Sequence, residues 1–448
     1  MKKVLLISHA YPPAHNIASL RAGKVAKYLP TFGWEPIILT VERHEQNLGP
    51  KDELQCGKVI RTRDFYLFSE IERLTRLLKG KNSFPSHEPK INKANVLKRK
   101  PKDSLVKRIY FQILNNLFCF PDSRNGWYFM VRKNYRSLFS FDKINMIFSS
   151  SGPFTDHLIA SFLKVRFRVP WVADFRDLWS KRYVDKRWSP LRIFETLLER
   201  KTVDNCDVIT TVSYDFAQEL HYLHNKPVQI IPNGFDPDDY RVFYSKKHKN
   251  KRFTLAYTGN VYEDKQDPKP LLQAIKNIIQ LGKISRDDIS LNFYGKKQAW
   301  LEDLVADLGI SEVVTFHGVV PFSDSVRIQT QADILVLFFS RYKNERGWIP
   351  AKIFEYLGAR KPILAIGPAC GMASDILVQT GAGITMTNTE DIMNLLLEKV
   401  GLWKAVGFIE YNGDVDTIDT LYSRKSQTRQ LASLFDKLYE SSRFQNKK

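Results

Sequence analysis

Residues 347–362 read Gly347-Trp-Ile-Pro-Ala-Lys-Ile-Phe-Glu-Tyr-Leu-Gly-Ala-Arg-Lys-Pro362, a pattern typical of a helix followed by a strand. Pro350 suits the first turn of a helix, where the missing N–H is not needed. We expect Gly358 to end that helix and Pro362 to open a strand over residues 363–366. A helix entering a buried strand in this way is typical of an α/β fold.

The polar residues of this predicted helix indicate an anionic ligand. Lys352 and Glu355 lie three residues apart, so on a helix their side chains can reach the same ligand. The apolar face is formed by Ile353, Phe354 and Leu357. The free N–H groups of a first helical turn favour an anion. An anion site with a cation and a carboxylate nearby suits a nucleoside diphosphate, whose ribose hydroxyls would donate to the carboxylate. On spacing alone, an ordinary Lys–Glu pair on an exposed helix is the alternative.

Length and composition predict a globular protein of two or three domains. The chain has 448 residues, of which 43% are hydrophobic and 12% aromatic, enough for full-sized cores. No apolar run approaches the roughly 18 residues of a membrane span, and residues 1–9 predict a first strand instead of a signal peptide. The four cysteines form no C-x-x-C pair, which disfavours disulfide scaffolds and metal sites. We therefore expect a cytoplasmic protein.

The net charge of +20 is concentrated in one part of the chain. Between Arg76 and Arg136, fifteen Lys or Arg residues stand against three acids, a balance of +12. A predicted amphipathic helix over residues 105–118 lies in this stretch. Three interpretations stay open, namely an anionic membrane surface, nucleic acid, and an insertion that packs on its own domain. We expect the membrane, with the protein peripheral on the inner face of the plasma membrane, and no nucleic-acid partner.

Strands and helices alternate along the chain, which predicts parallel sheets with helices on both faces. Residues 231–252 are dense in Pro, Asn-Gly, Asp-Pro and then Lys, which mark turns and a linker. We predict two Rossmann-like, doubly wound domains, residues 1–240 with a basic insertion at about 76–136 and residues 241–448. They would face each other across a central cleft that binds ligands at strand ends. The last helix, predicted at about residues 418–439, is expected to pack back towards the first domain.

The common nucleotide and hydrolase motifs are absent from the sequence. No P-loop, no G-x-G-x-x-G after the first strand and no G-x-S-x-G is present. This disfavours P-loop NTPases, nicotinamide or flavin enzymes, and α/β-hydrolases.

Polar residues follow several predicted strands of the first half. His9 follows the first strand, and Ser151 with Gly152 stands between a strand and a helix. Their amides and side chains would approach a sugar or phosphate. A second group, Asp174, Arg176 and Asp177, follows the strand at residues 171–173. A carboxylate there would position or deprotonate an acceptor hydroxyl. For each group the alternative is a helix cap or a salt bridge.

In the second half the first strand ends in Tyr257-Thr-Gly-Asn260, with Lys265 and Lys269 behind it. Gly259 permits a close backbone approach, and a Lys nearby neutralises a diphosphate. This group is expected at the same sheet edge as the helix of residues 350–358.

Taken together, the second half resembles the retaining glycosyltransferases of family 4, the glycosyl transferases group 1 domain, which have the GT-B fold. The motifs that carry the resemblance are Ile231-Pro-Asn-Gly-Phe-Asp236, Tyr257-Thr-Gly-Asn260, Val314-Thr-Phe-His-Gly-Val319, Gln331-Ala-Asp-Ile-Leu-Val336 and Glu355-Tyr-Leu-Gly-Ala-Arg-Lys-Pro362. The first half is similar to surface-polysaccharide members through Tyr11-Pro-Pro13, Pro121-Asp122, Gly126-Trp127 and Pro170-Trp-Val-Ala-Asp-Phe-Arg-Asp-Leu-Trp179.

The resemblance implies sugar transfer with retained anomeric configuration from a UDP- or GDP-sugar, with no metal or other cofactor required. The acceptor would be a lipid-linked sugar or a glycan in cell-surface polysaccharide synthesis. Alternatives on the same fold are a nucleotide-sugar epimerase or hydrolase, and a non-catalytic glycan-binding protein.

The resemblance also assigns residues to roles. The implied donor-binding set is Glu355 at the ribose with Lys352, Lys265, Gly259, Asn260, Ile349, Pro350 and Ala351. The family has an earlier Glu where this chain has Gly347, so the segment from Ile349 to Lys352 would replace that contact. Where many relatives have a catalytic His, this chain has Phe175-Arg176-Asp177. Asp177 is therefore favoured over Asp174 as the catalytic carboxylate. His9, Ser151, Gly152 and Arg176 are expected at the acceptor.

Overall fold

The computed structural model describes residues 1–14, 17–42, 57–64, 120–139, 143–181, 189–244, 248–341 and 349–445. The predicted helix at 105–118 and Gly347 lie outside these ranges. The chain forms two compact units, the first from Met1–Val212, Phe216–Ile230 and Leu431–Lys448, the second from Ser213–Asp215 and Ile231–Gln430. Within the described ranges, no helix is both long and apolar enough to cross a membrane.

The first unit is built on a parallel sheet of seven strands. In chain order these are β1 Lys2–Ile7, β2 Trp34–Val41, β3 Lys58–Thr62, β4 Met146–Ser150, β5 Trp171–Phe175, β6 Val208–Thr211 and β7 Val228–Ile230. Their order across the sheet is β3-β2-β1-β4-β5-β6-β7. Residues 4–7 of β1 are fully buried, as expected for a central parallel strand that is covered on both faces.

Helices cover both faces of this sheet. They are α1 Ile17–Tyr28 with a 3-10 turn at Leu29–Phe32, α2 Asn125–Leu138, α3 Thr155–Phe167, α4 Ser189–Val203 and α5 Tyr214–His224. On one face, α2, α3 and α4 bury Trp127, Leu163 and Val203 in a common apolar cluster with Leu5 and Ile147. The arrangement is a three-layer α/β sandwich.

The end of the chain's last helix covers the other face of the first sheet. The Phe435 ring lies 5.4 Å from the Trp34 ring and 5.8 Å from the Phe148 ring. The Trp34 indole N–H donates to Asp436 at 2.9 Å, and Lys2 pairs with the same carboxylate. These contacts explain why residues from Leu431 onward belong to the first unit.

The second unit contains a parallel sheet of six strands. These are β8 Phe253–Thr258, β9 Ile289–Tyr294, β10 Val314–Phe316, β11 Ile334–Phe338, β12 Ile363–Ile366 and β13 Gly383–Met386, in the order β10-β9-β8-β11-β12-β13. Its helices are α6 Pro237–Tyr240, α7 Lys269–Gln280, α8 Ala299–Asp307, α9 Phe322–Gln331, α10 Ala351–Ala359, α11 Met372–Thr380, α12 Thr389–Val406 and α13 Val415–Tyr422. The last helix, α14 Arg424–Gln445, begins in the second unit and continues in the first from Leu431 onward. Both sheets confirm the predicted class of two Rossmann-like, doubly wound domains.

The expectation that Gly358 ends the helix at residues 350–358 is wrong. Helix α10 runs on to Ala359, and Arg360 adopts the left-handed conformation with φ of 51°. Gly358 is required by packing instead, because a Cβ there would lie 2.7 Å from the Phe235 ring and 2.8 Å from the Tyr240 ring. The apolar face was predicted correctly, since Ile353, Phe354 and Leu357 are buried.

The segment predicted as loop between the halves is partly ordered by a backbone pairing. Phe235 forms a parallel bridge with Ser423, and the Arg424 N–H donates to the Phe235 carbonyl at 2.8 Å. The bridge holds Ser423 in an extended conformation. The single helix predicted at about 418–439 is therefore two helices, α13 and α14.

Replacing Gly358 with Ala should destabilise the second unit. The added methyl group would overlap two buried aromatic rings, and overpacking of this kind costs about 1–3 kcal/mol of unfolding free energy. Gly401 on α12 is the matched control, because a Cβ added there would have no neighbouring atom within 4 Å. Gly401→Ala should stabilise by about 0.5–1 kcal/mol through helix propensity. Equal effects of the two substitutions in urea unfolding would contradict the packing role of Gly358.

Candidate active site

A half-buried carboxylate lies in the second turn of α10 in the second unit. Glu355 Oε2 accepts hydrogen bonds from Lys352 Nζ at 2.7 Å and from Gln329 Nε2 at 2.9 Å. The side chains of Lys352 and Glu355 are 32% and 22% exposed. No hydrogen bond from the described part of the chain reaches Oε1. One oxygen of this carboxylate is thus fixed by the protein, and the other is available to a ligand.

Gln329 connects this carboxylate to the end of the sheet. Its side chain is fully buried on α9. Its Oε1 accepts from the Tyr240 hydroxyl at 3.1 Å, and its Nε2 lies 2.9 Å from Thr258 Oγ1 at the end of β8. A buried amide with both ends bonded has little freedom to turn. Gln329 therefore fixes Glu355 relative to the carboxyl end of β8.

Tyr356 makes a second connection to the same strand end. Its hydroxyl oxygen accepts the Thr258 N–H at 2.9 Å. Burial raises the pKa of Tyr356 above its ordinary value, so the hydroxyl stays protonated. Burial has the same effect on the pKa of Tyr240.

Gly259 and Asn260 form the loop after β8. A Cβ on Gly295, in the loop after β9, would lie 2.0 Å from the Gly259 carbonyl oxygen, so the two loops touch through their backbones. Asn260 Oδ1 accepts the Lys296 N–H at 2.8 Å, and its carbonyl accepts from the Tyr257 hydroxyl at 3.0 Å. This loop is well defined at the edge of the sheet where β8 ends.

The remaining predicted donor residues lie on neighbouring loops. Ile349 and Pro350 directly precede α10, and Ala351 is its first residue. Lys265 lies between β8 and α7, where its carbonyl accepts the Arg341 N–H at 2.7 Å. The structure brings Lys352 and Glu355 into contact, whereas no hydrogen bond among the described residues joins Lys265 to either of them.

In the first unit, Asp174 is completely buried on β5 and is saturated with hydrogen bonds. Arg21 binds both of its oxygens, at 2.8 and 3.0 Å, and the hydroxyls of Ser150 and Thr210 donate to it at 2.7 and 2.9 Å. Burial alone would raise the pKa of Asp174, but the charge and hydrogen bonds of Arg21 outweigh it and the pKa is lowered. The contacts of Asp174 are therefore those of a buried salt bridge, which the sequence left open as the alternative to a catalytic role.

Asp177 is exposed and lies two residues after β5. Its neighbour Arg176 contacts Ser151 and Gly152, so the structure brings these three predicted site residues together. Arg176 donates to the Ser151 carbonyl and, at 3.4 Å, to that of Gly152. Gly152 has φ of 98°, and a Cβ there would lie 2.8 Å from the Arg176 guanidinium. Only glycine therefore allows Arg176 to cross this loop.

His9 is buried and lies in a chain of charged groups. His9 Nε2 is 2.8 Å from Asp64 Oδ2, which also pairs with Arg124 at 2.8 Å. The His9 N–H donates to Asp156 at 3.0 Å. Burial raises the pKa of Asp156 well above its ordinary value. At this sheet edge the protein thus holds a carboxyl that favours its protonated form.

Sequence reasoning missed Gln329, Asp64 and Asp156. Asp64 lies two residues after β3, as His9 does after β1, so the rule that located His9 applies to it once that strand is recognised. Gln329 stands two residues before the Gln331-Ala-Asp motif, but its position in the sequence gives no sign of its bond to Glu355. Asp156 lies in the first turn of α3, where an acid is ordinarily interpreted as a cap.

Comparison with known proteins gives the same fold over almost the whole chain. Sucrose-phosphate synthase from Thermosynechococcus elongatus is 13% identical with a TM-score of 0.59, covering 98% of this chain and 100% of that chain. A Rickettsia africae glycosyltransferase is 13% identical with a TM-score of 0.58, covering 98% of each chain. Anabaena HepE in complex with UDP-glucose is 11% identical with a TM-score of 0.56, covering 98% and 100%. No curated protein sequence matches the chain.

Two family models match the sequence itself. Residues 95–239 match Glycosyltransferase Family 4, and residues 252–400 match Glycosyl transferases group 1. With the fold, these matches define the protein as a glycosyltransferase of the GT-B class. Its chain carries a Glycosyltransferase Family 4 domain followed by a Glycosyl transferases group 1 domain. The predicted fold and enzyme class are confirmed.

Replacing Asp174 with Asn should strongly destabilise the first unit, because Arg21 would be left buried without its counter-charge. Breaking a buried pair in this way costs about 3–5 kcal/mol. The exposed pair Arg252–Asp287, at 2.6 Å, provides the control, and Asp287→Asn should cost less than about 1 kcal/mol. Denaturant unfolding at neutral pH measures both costs.

The same variant should change the pH dependence of stability. The pKa of Asp174 is lowered in the folded protein, so its contribution is present above the unfolded pKa of about 3.9. It is lost as the pH falls through the folded pKa. The wild-type protein should therefore lose more stability than Asp174→Asn on acidification below about pH 4. Parallel curves for both proteins would contradict this account.

Proposed function

We propose that the protein transfers a sugar, with retained anomeric configuration, from a UDP- or GDP-sugar bound in the second unit. The carrying observation is Glu355, whose Oε2 is fixed by Lys352 and Gln329 while Oε1 accepts no hydrogen bond from the described residues. Such an oxygen is suited to accept from the ribose hydroxyls of the donor. The complex of Anabaena HepE with UDP-glucose supports a nucleotide-sugar as the co-substrate.

The donor diphosphate would lie at the start of α10, against the loop after β8. The N–H groups at Ala351 and Lys352, the Lys352 ammonium and Lys265 would balance its charge. The segment from Ile349 to Lys352 would replace the contact of the missing family Glu through its backbone amides and the Lys352 side chain. Gly259 and Asn260 would line the phosphates, because the Gly backbone permits close approach.

The chemistry proposed here relies on positioning and charge. In a retaining transfer, the leaving diphosphate accepts the proton of the acceptor hydroxyl on the same face of the sugar. Cations and amides that meet the developing phosphate charge lower the barrier. This role needs no metal, and we propose that none is required.

We propose an acceptor site in the first unit formed by His9, Ser151, Gly152 and Arg176. Asp177 is the proposed catalytic carboxylate because it is exposed just after β5, where it can orient an acceptor hydroxyl whose proton passes to the leaving diphosphate. The saturated bonds of Asp174 favour a positioning role, in which it holds Arg21, Ser150 and Thr210 around the same strand end.

The proposed acceptor is a lipid-linked sugar or a growing glycan of cell-surface polysaccharide. The strongly basic stretch from Arg76 to Arg136 supports this proposal, because anionic lipid headgroups attract clustered Lys and Arg. The protein would then act as a peripheral protein at the cytoplasmic membrane face.

The donor assignment predicts that Glu355→Gln weakens nucleotide-sugar binding. Losing a hydrogen bond to a charged group costs about 1.5–3 kcal/mol, which is roughly 10- to 150-fold in affinity. A thermal-shift screen of UDP-, GDP-, ADP- and CMP-sugars would first identify the donor, since a ligand at 100 times its Kd stabilises by about 2.7 kcal/mol.

The matched control is Glu398→Gln, an exposed carboxylate on α12 that pairs with Lys399. It should respond to the donor like the wild-type protein. If Glu355→Gln bound the best donor with unchanged affinity, the proposed donor site would be wrong.

With the identified donor, we expect a reaction that retains the anomeric configuration of the sugar and that requires an acceptor. With an acceptor, proton NMR of the early product should show the same anomeric configuration as the donor. Asp177→Asn should lower kcat by about a hundredfold, because the acceptor hydroxyl loses its orientation. The donor alone should be hydrolysed far more slowly. Rapid hydrolysis or epimerisation without acceptor would favour the alternative enzyme class, and an inverted product would contradict the proposed mechanism.

A further inference from the structure

Helix α4 of the first unit is oriented with its acids inward and its apolar residues outward. Glu195 and Glu199 are 3% and 1% exposed. Ile193, Phe194 and Leu197 are 64%, 62% and 56% exposed. An exposed group of large apolar side chains on one helix commonly marks an interaction site.

The orientation of α4 is held by specific bonds. Glu199 Oε2 accepts the Ser180 N–H at 2.8 Å, and its Oε1 lies 3.2 Å from His224 Nε2. Turning the helix to bury its apolar residues would break these buried contacts. Ile193, Phe194 and Leu197 are therefore exposed in the folded first unit.

The neighbouring helices extend this surface and make it basic. Helix α3 packs against both α2 and α4, and all three contact the same side of the sheet. Phe129 on α2 and Val165 on α3 are each more than half exposed. Eight exposed basic residues lie on the three helices or, for Arg168, at the residue that ends α3. They are Arg132, Lys133, Arg136, Arg166, Arg168, Arg192, Arg200 and Lys201. We call this the α2–α4 surface.

No acid within the three helices is exposed, but Asp204, the residue that ends α4, is exposed and offsets one of these eight charges. The acidic residues of the helices are Asp156, Glu195 and Glu199, and all are buried. No ion pair from the described ranges reaches any of the eight basic residues. Asp207, after α4, is bonded to Lys164 at 2.5 Å.

We infer that the α2–α4 surface docks on an anionic lipid bilayer, with Ile193, Phe194 and Leu197 entering the headgroup region. Interfacial helices combine an apolar face with flanking Lys and Arg in this way. A nucleic acid or an acidic glycan would match the charges but would leave the apolar residues without a role. The inference deepens the proposed membrane association and is independent of the donor chemistry.

Two full-length variants test the two parts of this surface separately. The apolar variant is Ile193→Ser, Phe194→Ser and Leu197→Ser. The charge variant is Arg192→Gln, Arg200→Gln and Lys201→Gln. Matched controls in the second unit are Leu402→Ser with Val406→Ser for exposed apolar residues, and Lys249→Gln, Lys251→Gln and Lys283→Gln for charge. All substituted side chains are exposed, so folding should be retained, and thermal melting checks this.

The measurement is co-sedimentation with vesicles of phosphatidylcholine, alone or mixed equally with phosphatidylglycerol. We expect the wild-type protein to bind the anionic vesicles and to be released by high salt. The charge variant should bind about a hundredfold more weakly, as three surface charges predict. The apolar variant should lose at least about tenfold, while both controls bind like the wild-type protein.

Three results would overturn the inference. The first is that both α4 variants sediment with anionic vesicles as the wild-type protein does. The second is an apolar variant that binds vesicles normally, together with a charge variant that binds anionic vesicles, heparin and RNA equally weakly. This result would show general binding to polyanions. The third is self-association that the apolar substitutions abolish, without vesicle binding, which would show a protein interface. Glu355→Gln should bind vesicles like the wild-type protein. Vesicle binding therefore tests the α2–α4 surface, and nucleotide-sugar binding tests the donor site.

Discussion

The hydrogen bond from Gln329 to Glu355 is the interaction on which the proposed donor site depends. A carboxylate in a half-buried place needs donors to offset its lost hydration, and this one receives them from a buried amide and a neighbouring ammonium. Gln329 in turn is held by Tyr240 and Thr258. Helices α9 and α10 and the end of β8 are therefore connected at one point. Oε1 of Glu355, which accepts no hydrogen bond from the described residues, is therefore held in place by the fold.

The two sheets deal with buried carboxylates in different ways. In the first unit, Asp174 is neutralised by Arg21 and accepts two further hydroxyl bonds, so no oxygen remains for a ligand. Asp156 forms no ion pair with any of the described residues, and burial raises its pKa. The half-buried Glu355 keeps one oxygen available. Burial and the number of donors thus separate residues that look alike in sequence into structural and ligand-binding candidates.

Local patterns predicted the fold class and part of the site. The 3.6-residue period placed Ile353, Phe354 and Leu357 inside and brought Lys352 next to Glu355, because both follow from helix geometry alone. The role of Gly358 was misjudged, since the rings that require it come from Phe235 and Tyr240 more than a hundred positions earlier. The same holds for Gln329 beside Glu355 and for Arg21 beside Asp174. Contacts between distant segments have no periodic signal in one sequence.

The proposed donor site lies at the start of α10 and the end of β8. Hydrogen–deuterium exchange, with and without the best nucleotide-sugar, tests this location without a substitution. Bound donor should slow the exchange of peptides covering residues 256–262 and 349–357, where backbone amides would meet the diphosphate. Slower exchange confined to peptides of the first unit, with a donor that supports transfer, would contradict this location.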